Sequence, residues 1–220
     1  MTEAGELERR IRDVAGRLGA GPAREVAREA PRLARFLALL ASANERFNLV
    51  SAAAARPDEL VGRHLLDALW GLALLPERRP EGLSLLDIGS GGGFPAIPLL
   101  LVRSDLRGVL VESTGKKGRF LVEAARELAL TVEVVNARFP DSFPMKPAPR
   151  FDLLTSRAVA DAGRLVRAAR PFLAPGARAL LWTTKALLPR IVRTSGCRKS
   201  SLLEVSGAES RGIACLESFT

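Results

Sequence analysis

Residues 85–95, LLDIGSGGGFP, decide the fold of this chain. An apolar strand runs into four glycines within five positions, 89–93, and a helical pattern follows from Pro95. Glycine permits a sharp turn and lets a ligand approach the backbone closely. The N–H groups at the start of the following helix offer hydrogen bonds to a polar ligand. The stretch therefore predicts a strand, a ligand-binding loop and a helix of an α/β fold.

Strand and helix patterns alternate from Pro80 onward. Short apolar runs predict strands at 83–88, 109–112, 132–135, 151–155 and 177–182. Helical patterns occupy 95–102, 116–129 and 162–172. This alternation is typical of a mostly parallel, twisted sheet with helices on both faces. Two last apolar stretches, 202–205 and 213–216, are suited to close the sheet as a hairpin.

The first third of the chain has a different, helical pattern. Leu7, Ile11, Val14 and Leu18 recur on one helix face, and Gly19 with 21–22 predicts the end of that helix. Two further helices are predicted from about Pro31 and about Asp58. We therefore expect residues 1–79 to form a helical extension packed on a core at 80–220.

Composition bounds the class of protein. Hydrophobic residues make up 47% of the 220 positions, enough for a sizeable core, and the net charge is +9. That charge has two equally weighted explanations, a surface for an anionic polymer or an arginine-rich composition. With two cysteines and one histidine, no disulfide framework and no metal site are expected. Early glutamates and short apolar runs predict neither a signal peptide nor a membrane span, so we expect a cytoplasmic protein.

The glycine spacing narrows the choice of ligand. A dinucleotide fingerprint, G-x-G-x-x-G, would need a third glycine where Phe94 stands. S-adenosylmethionine has no phosphate, and its ammonium group suits an acid such as Asp87 before the loop. Glu112, at the end of the next strand, is placed to accept the ribose hydroxyls. A merely flexible turn would leave this acid unexplained, so S-adenosylmethionine is favoured over NAD, and NADP is the least favoured.

Five stretches carry a resemblance to a known family. They are NERFNLVS at 44–51, GRHLLDAL at 62–69, LLDIGSGGGFPAIPL at 85–99, LVESTGKKGRFL at 110–121 and FDLLTSRAVA at 151–160. On these stretches the chain resembles the small-subunit ribosomal RNA guanine-N7 methyltransferase G family, also called glucose-inhibited division protein B. The resemblance runs from about residue 30 to 186 and implies a Rossmann-like class I methyltransferase.

The resemblance also implies an activity and a cofactor site. It implies methylation of N7 of a specific guanine in small-subunit (16S) ribosomal RNA in the bacterial cytoplasm. The partner is that RNA or the assembling 30S subunit, and a monomer is the default. By motif match Gly89 and Phe94 line the cofactor pocket, and Arg157 lies at the cofactor. Glu112, Ser113 and Thr114 meet its adenosine part. The loop pattern itself adds Asp87 and Gly91 to the cofactor residues. Arg157 is also expected at the target base, and Lys185 resembles a family lysine near the base.

The chain departs from the family pattern in two places. The family usually shows Arg-x-Glu after the third strand, whereas this chain has Pro140 in the place of the acid. Phe139 and Pro140 remain the positions expected near the adenine, with Asp141 as a substitute acid. Beyond about residue 186 the tail is atypical, and 194–201 is polar and basic, unlike the usual helix and strand.

Guanine N7 carries a lone pair and no proton, so direct methyl transfer needs no general base. We therefore nominate no catalytic acid or base, and expect His64 to serve structure or RNA contact rather than proton transfer. Arg63, paired on one helix face with Asp67, is an RNA candidate or a surface ion pair. Lys116, Lys117 and Arg119 open a helix against its dipole, and RNA contact and a solvated basic face are equally favoured.

Two other functions remain open on this sequence. One is an NAD-dependent oxidoreductase on the same fold, although the missing third glycine opposes it. The other is a non-catalytic RNA-binding or assembly protein with a degenerate methyltransferase fold. The altered segment at 139–140 and the unusual tail motivate the second alternative.

Overall fold

A computed structural model describes residues 3–47, 49, 51, 56–144, 151–205 and 210–219. The α-helices are α1 (Glu3–Ala15), α2 (Ala20–Arg28), α3 (Ala30–Phe47), α4 (Pro57–Glu59), α5 (Leu66–Leu69), α6 (Ala96–Val102), α7 (Gly115–Glu127), α8 (Ala162–Ala169) and α9 (Leu188–Ser195). The strands are β1 (Leu83–Ile88), β2 (Leu106–Val111), β3 (Val132–Val135), β4 (Phe151–Arg157), β5 (Leu173–Thr184), β6 (Cys197–Glu204) and β7 (Arg211–Phe219).

The strands form one seven-stranded sheet in the order β3-β2-β1-β4-β5-β7-β6. The pairs from β3 to β5 are parallel, whereas β7 runs antiparallel to both β5 and β6. The prediction of a mostly parallel sheet closed by a terminal hairpin is therefore confirmed. β1 and β4 are neighbours although β2 and β3 separate them in sequence, so the order in which strands are added to the sheet reverses between β1 and β4. Ligands bind at such a switch point, outside the carboxyl ends of the strands.

Two apolar clusters cover the two faces of the sheet. Alternate residues of β1 divide between them, with Leu83 and Leu85 in one cluster and Leu86 and Ile88 in the other. The first cluster is continuous with the N-terminal helices through Phe36, which meets the ring of Phe94 edge-on at 5.2 Å between centroids. The second cluster lies under α8 and α9. Both faces of the sheet are thus covered, as a parallel sheet requires.

Two features of local structure differ from the expectations. The first helix ends before Gly19 as expected, but an unpredicted helix, α2, begins at Ala20. Pro22 lies in the first turn of α2, where no N–H donor is needed, so the proline does not prevent a helix. The polar segment 194–201 was expected to lack the usual helix and strand, yet it contains the end of α9 and much of β6.

The third predicted helix is not a regular α-helix. Leu60–Leu65 form a π-helical turn between α4 and α5, and Trp70–Leu74 form a 3-10 segment after α5. A π-turn shifts the side-chain register by one residue, and such turns are frequent at functional sites. Within the described residues, no helix is long and apolar enough to cross a bilayer.

Candidate functional site

The glycine loop folds back tightly after β1. The N–H groups of Gly89 and Ser90 both donate to the carbonyl of Val111, at 2.9 and 3.1 Å, and so tie the loop to the end of β2. Gly89, Gly91 and Gly93 have φ angles of +79°, +56° and +92°. An L residue rarely adopts these angles, so the three glycines are required by the turn itself.

Gly91 and Gly93 differ in what surrounds them. A Cβ atom on Gly91 would meet only the carbonyl oxygen of Gly89, at 3.8 Å. A Cβ atom on Gly93 would lie 2.6 Å from Ile97 Cδ1 and 3.2 Å from the ring of Phe36. Gly91 therefore borders open space, whereas Gly93 packs against the core.

Glu112 binds the loop from the neighbouring strand. Its Oε2 accepts a hydrogen bond from the N–H of Gly91 at 2.9 Å, and its Oε1 accepts one from Thr114 at 2.7 Å. The carboxylate is buried, Thr114 is half-buried and Ser113 is exposed. Asn136, which the sequence did not suggest, donates to the Glu112 carbonyl at 2.7 Å. The predicted acid and the predicted glycine loop thus meet directly.

Asp87 lies beneath the loop and is fully buried. Its Oδ1 accepts a hydrogen bond from the hydroxyl of Thr155 on β4, at 2.6 Å, and its Oδ2 has no partner in the described structure. Burial raises the pKa of Asp87 to about 6, although the Ser90 and Thr155 side chains oppose the rise. A buried carboxylate oxygen without a partner is costly, so this atom is a candidate acceptor for a bound cation.

Phe94, Arg157 and His64 form a stack beside the loop. The guanidinium carbon of Arg157 lies 4.9 Å from the centroid of the Phe94 ring, and the His64 ring lies 5.6 Å from it. Phe94 is buried beneath these two side chains. Burial lowers the pKa of His64 to about 4, with a further lowering by Arg157 and Arg63. His64 is therefore neutral at physiological pH.

A cavity of about 430 Å³ opens at the carboxyl ends of β4 and β5. Val159, on the loop between β4 and α8, lies in the cavity wall and stands 3.5 Å from the position of a Cβ atom on Gly89. The ionisable residues of the wall are Arg63, His64, Asp67, Arg157, Asp161, Arg190 and Arg211. The cavity thus adjoins the glycine loop but is distinct from it.

Three residues predicted for the site, Lys185, Phe139 and Pro140, differ in the contacts and exposure that the structure gives them. Lys185 is mostly exposed and pairs with Glu204 at 3.0 Å, and it is not in the cavity wall. The ring of Phe139 packs against Phe143 and Phe172, and Pro140 beside it is exposed.

The three cations after β2 occupy the start of α7. Lys116 and Arg119 are exposed and Lys117 is half-buried. In the part of the chain that the structure describes, none of the three forms an ion pair. The carboxylate at this end of the helix is that of Glu112, which accepts the N–H of Thr114 and leaves the three cations unpaired among the described residues. The positive end of the helix dipole lies beside these cations.

Asp67 and Arg211 line the cavity, although their sequence pattern does not predict it. Arg211 Nη1 contacts Asp67 Oδ2 at 2.8 Å, across 144 residues of sequence. A pair this distant leaves no local pattern, so the helical spacing of Arg63 and Asp67 suggested a different partner. Arg63 instead contacts Glu59, at 3.5 Å. Within the described ranges, no group of residues suited to hold a metal ion is present.

The family model for rRNA small subunit methyltransferase G matches residues 29–201. The ribosomal RNA small subunit methyltransferase G of Ectopseudomonas mendocina is 43% identical over 132 residues, which cover 60% of this chain and 58% of that protein. The protein of the same name from Alkalilimnicola ehrlichii is 42% identical over 178 residues, covering 77% and 75%. The chain thus spans between about half and three quarters of the length of these curated relatives.

Solved structures agree on the fold. An S-adenosylmethionine-dependent methyltransferase from Aquifex aeolicus superposes with a TM-score of 0.58 at 15% identity, covering 74% of this chain and 93% of that one. A 16S rRNA methyltransferase from T. thermophilus, solved with AdoMet and guanosine, gives a TM-score of 0.56 at 22% identity, covering 76% and 44%. At these identities the likeness concerns the Rossmann-like methyltransferase fold.

Proposed function

The chain belongs to the rRNA small subunit methyltransferase G family, and from that premise we propose that it methylates N7 of a guanine in small-subunit ribosomal RNA. The observation that carries the proposal is the contact between Glu112 and Gly91, which joins the acid of β2 to the open side of the glycine loop. The substrate is the RNA itself or the assembling subunit, and the enzyme works as a cytoplasmic monomer.

The residues around the loop fit S-adenosylmethionine. Gly91 leaves open space, Glu112 offers a carboxylate to ribose hydroxyls, and the partnerless Oδ2 of Asp87 suits an ammonium group. We assign Ser113, Thr114 and the segment 139–140 to the adenosine side, and Gly89, Phe94 and Arg157 to the side facing the base. When bound, this cofactor supplies a methyl group on a positively charged sulfur.

The protein's own part in the reaction is to position the base against the cofactor and to exclude water from the site. N7 of guanine attacks through its lone pair and releases no proton, so no general base is required. The low pKa of His64 agrees with this assignment, since a base that weak would accept a proton poorly at neutral pH. Alignment of the reacting atoms and a suitable electrostatic environment account for the acceleration.

Arg157 is the residue we place at the junction of cofactor and base. It lies in the cavity wall and over Phe94, which follows the glycine loop directly. Burial lowers the pKa of Arg157, while Asp67 and Asp87 oppose that change. We assign RNA contact to Arg63, His64, Lys116, Lys117 and Arg119, and we leave Lys185 as a more distant positioning residue.

The decisive experiment is transfer of a tritiated methyl group onto small-subunit ribosomal RNA. Borohydride reduction and aniline cleavage then locate 7-methylguanine in the RNA. The proposal requires one labelled guanine, and it is refuted if the folded protein labels no RNA. Titration with S-adenosylhomocysteine and with NAD separates the methyltransferase from an oxidoreductase.

The same assay tests Arg157. We expect Arg157→Ala to reduce methyl transfer by about 30-fold or more, because a charged group at the reacting centre typically contributes about 2 kcal/mol or more. The matched variant Arg157→Lys keeps the charge but loses the planar group over Phe94. Unchanged transfer by Arg157→Ala would remove this residue from the site.

A further inference from the structure

We propose that Asp67 recognises the target guanine, with its free carboxylate oxygen accepting hydrogen bonds from N1–H and the 2-amino group of the base. The inference rests on the proposed function and adds to it the residue that distinguishes guanine from the other bases. It comes from the state of the Asp67 carboxylate and from its place in the cavity.

One oxygen of Asp67 is held and the other is free. Oδ2 receives Arg211 Nη1 at 2.8 Å. Oδ1 accepts no hydrogen bond from any residue that the structure describes. Since it is not one of the buried atoms that lack a partner, this oxygen is accessible. The side chain lies in the cavity wall and keeps 15% of its exposure, so the free oxygen reaches the cavity. A ligand there is able to donate to it.

The rest of Asp67 is fixed in place. Its backbone carbonyl accepts a hydrogen bond from the indole N–H of Trp182, at 2.7 Å. Trp182 is itself confined, because a Cβ atom on Gly71 would lie 2.8 Å from its ring. Arg211 and Trp182 thus hold the side chain and the backbone of Asp67 from two strands, β7 and β5. A recognition group gains specificity when its neighbours hold it in this way.

The other carboxylate of the cavity wall is already satisfied. Asp161 Oδ1 accepts the backbone N–H of Arg164 and so caps α8, at 3.2 Å. Its Oδ2 contacts the guanidinium groups of Arg164 and Arg190, at 3.3 and 3.4 Å. Asp67 is therefore the cavity carboxylate with a free acceptor in the described part of the chain.

Guanine supplies the complementary donors. N7 is consumed by the reaction, so an enzyme that handles an extruded base reads the opposite, Watson–Crick edge. An ionised carboxylate only accepts hydrogen bonds, and guanine offers N1–H and the 2-amino group on that edge. Adenine presents an acceptor at N1 instead, which would face the carboxylate unfavourably.

The same carboxylate favours the chemistry. During transfer the N7–carbon bond forms as the carbon–sulfur bond breaks, and the positive charge passes from sulfur to the purine. No proton leaves N7. A fixed negative group at the far edge of the base stabilises this arriving charge more than the neutral ground state. Asp67 is thus a specificity residue that also assists the transfer.

The test is a cycle in which both the base and the carboxylate are altered. Once the labelled guanine has been located, a small-subunit RNA transcript is prepared with inosine at that position, which lacks only the 2-amino group. Wild-type protein is compared with Asp67→Asn and with the control Asp161→Asn, on both transcripts. We measure kcat, KM and the affinity for S-adenosylhomocysteine.

We expect inosine to reduce kcat/KM of the wild type about 10-fold, the usual size of one lost base-specific contact. Asp67→Asn reduces transfer to guanine by about 10- to 100-fold, but its further loss on inosine is below about 3-fold, because the contact is already absent. Asp161→Asn keeps the wild-type penalty for inosine. The affinity of Asp67→Asn for S-adenosylhomocysteine stays within about 2-fold of wild type, since the residue does not touch the loop.

Equal inosine penalties in Asp67→Asn and wild type overturn the inference, as does a wild type that methylates both transcripts equally. If Asp67→Asn does not fold, Asp67→Glu replaces it, because this variant keeps the charge and moves the acceptor by one methylene. It is expected to show the same reduced penalty. A wild type that labels no RNA refutes the proposed function instead, so the two failures are distinct.

Discussion

Asp87 shows how one buried side chain links the cofactor site to stability. The pKa of this group rises from 3.8 to about 6 on folding, mainly through burial. The folded state therefore binds the proton more tightly than the unfolded state, and stability falls as pH rises through this interval. A rise of that size lowers the free energy of unfolding at neutral pH by about 3 kcal/mol, relative to a pH at which Asp87 is protonated in both states. The buried carboxylate of Asp87 therefore destabilises the fold, as is common for ligand-binding residues.

We therefore expect Asp87→Asn to be more stable than wild type at pH 7 without cofactor, and no more stable at pH 4. The amide keeps an acceptor for the Thr155 hydroxyl but carries no buried charge. Urea unfolding of both proteins at pH 4, 5, 6 and 7 measures the difference. The same variant is expected to bind S-adenosylhomocysteine more weakly. Parallel stability curves across this range would contradict the assignment.

The glycine loop gives a prediction in which two neighbouring glycines behave differently. Gly91→Ala is expected to cost about 1–2 kcal/mol of stability through its positive φ, and to weaken S-adenosylhomocysteine binding by 10-fold or more, because its Cβ enters the ligand space. Gly93→Ala is the control. Its Cβ collides with Ile97 and Phe36, so it loses more stability. Thermal unfolding and calorimetric titration measure both effects, and native affinity in a folded Gly91→Ala would show that the cofactor binds elsewhere.

Residue-level prediction from the sequence succeeded where the signal was local. The glycine loop and Glu112 lie at the ends of consecutive strands, so their meeting follows from a parallel arrangement. The contacts of Asp67 with Arg211 and of Asp87 with Thr155 span 144 and 68 residues. Such pairs depend on the order of strands in the sheet, which apolar periodicity does not encode. The free oxygen of Asp67 therefore emerged only from the structure.

At the scale of elements, α8 and α9 build the outer wall of the cavity. They pack closely at Gly163, where a Cβ atom would collide with Thr194 Oγ1 and lie 2.8 Å from the carbonyl oxygen of Ile191. Thr194 and Ile191 both line the cavity. The composition of 194–201 suggested an irregular tail, but the amphipathic pattern of α9 and its pairing with α8 compensate for the polar residues. Tertiary packing has overridden local composition here.

The close packing of these helices predicts the effect of one methyl group. Gly163→Ala is expected to lower the free energy of unfolding by about 1–3 kcal/mol, because α9 must move away from α8. It is also expected to reduce methyl transfer, since α9 carries the cavity wall. Gly21→Ala in α2 is the matched control, because its Cβ meets nothing within 4 Å. That change is expected to stabilise by about 0.5–1 kcal/mol, and equal effects of the two variants in urea unfolding would contradict this account.

At the scale of the whole molecule, the positive charges differ in whether an acid lies against them. Most N-terminal arginines with a described partner contact nearby acids, such as Arg9 with Glu6 at 2.7 Å and Arg78 with Glu25 at 2.8 Å. The cations at the start of α7 have no such partner among the described residues and lie just beyond Glu112 and Thr114. We treat residues 1–79 as an extension that packs on the core, and the start of α7 as the RNA-facing rim of the cofactor site.

This placement predicts a salt-dependent role for Lys116, Lys117 and Arg119. The cofactor has no phosphate that these cations could bind, whereas an RNA that crosses the rim carries one on every nucleotide. Replacing all three by alanine is expected to weaken RNA binding and to reduce the slope of log affinity against log salt by about 0.7 for each lost contact with single-stranded RNA, or about 0.9 in a duplex. S-adenosylhomocysteine affinity stays nearly unchanged. The control removes the same charge from the N-terminal helices, at Arg17, Arg24 and Arg28, and is expected to leave the slope almost intact. If the control lowers the slope and the α7 variant does not, RNA crosses the N-terminal helices, and the cations of α7 form a solvated face.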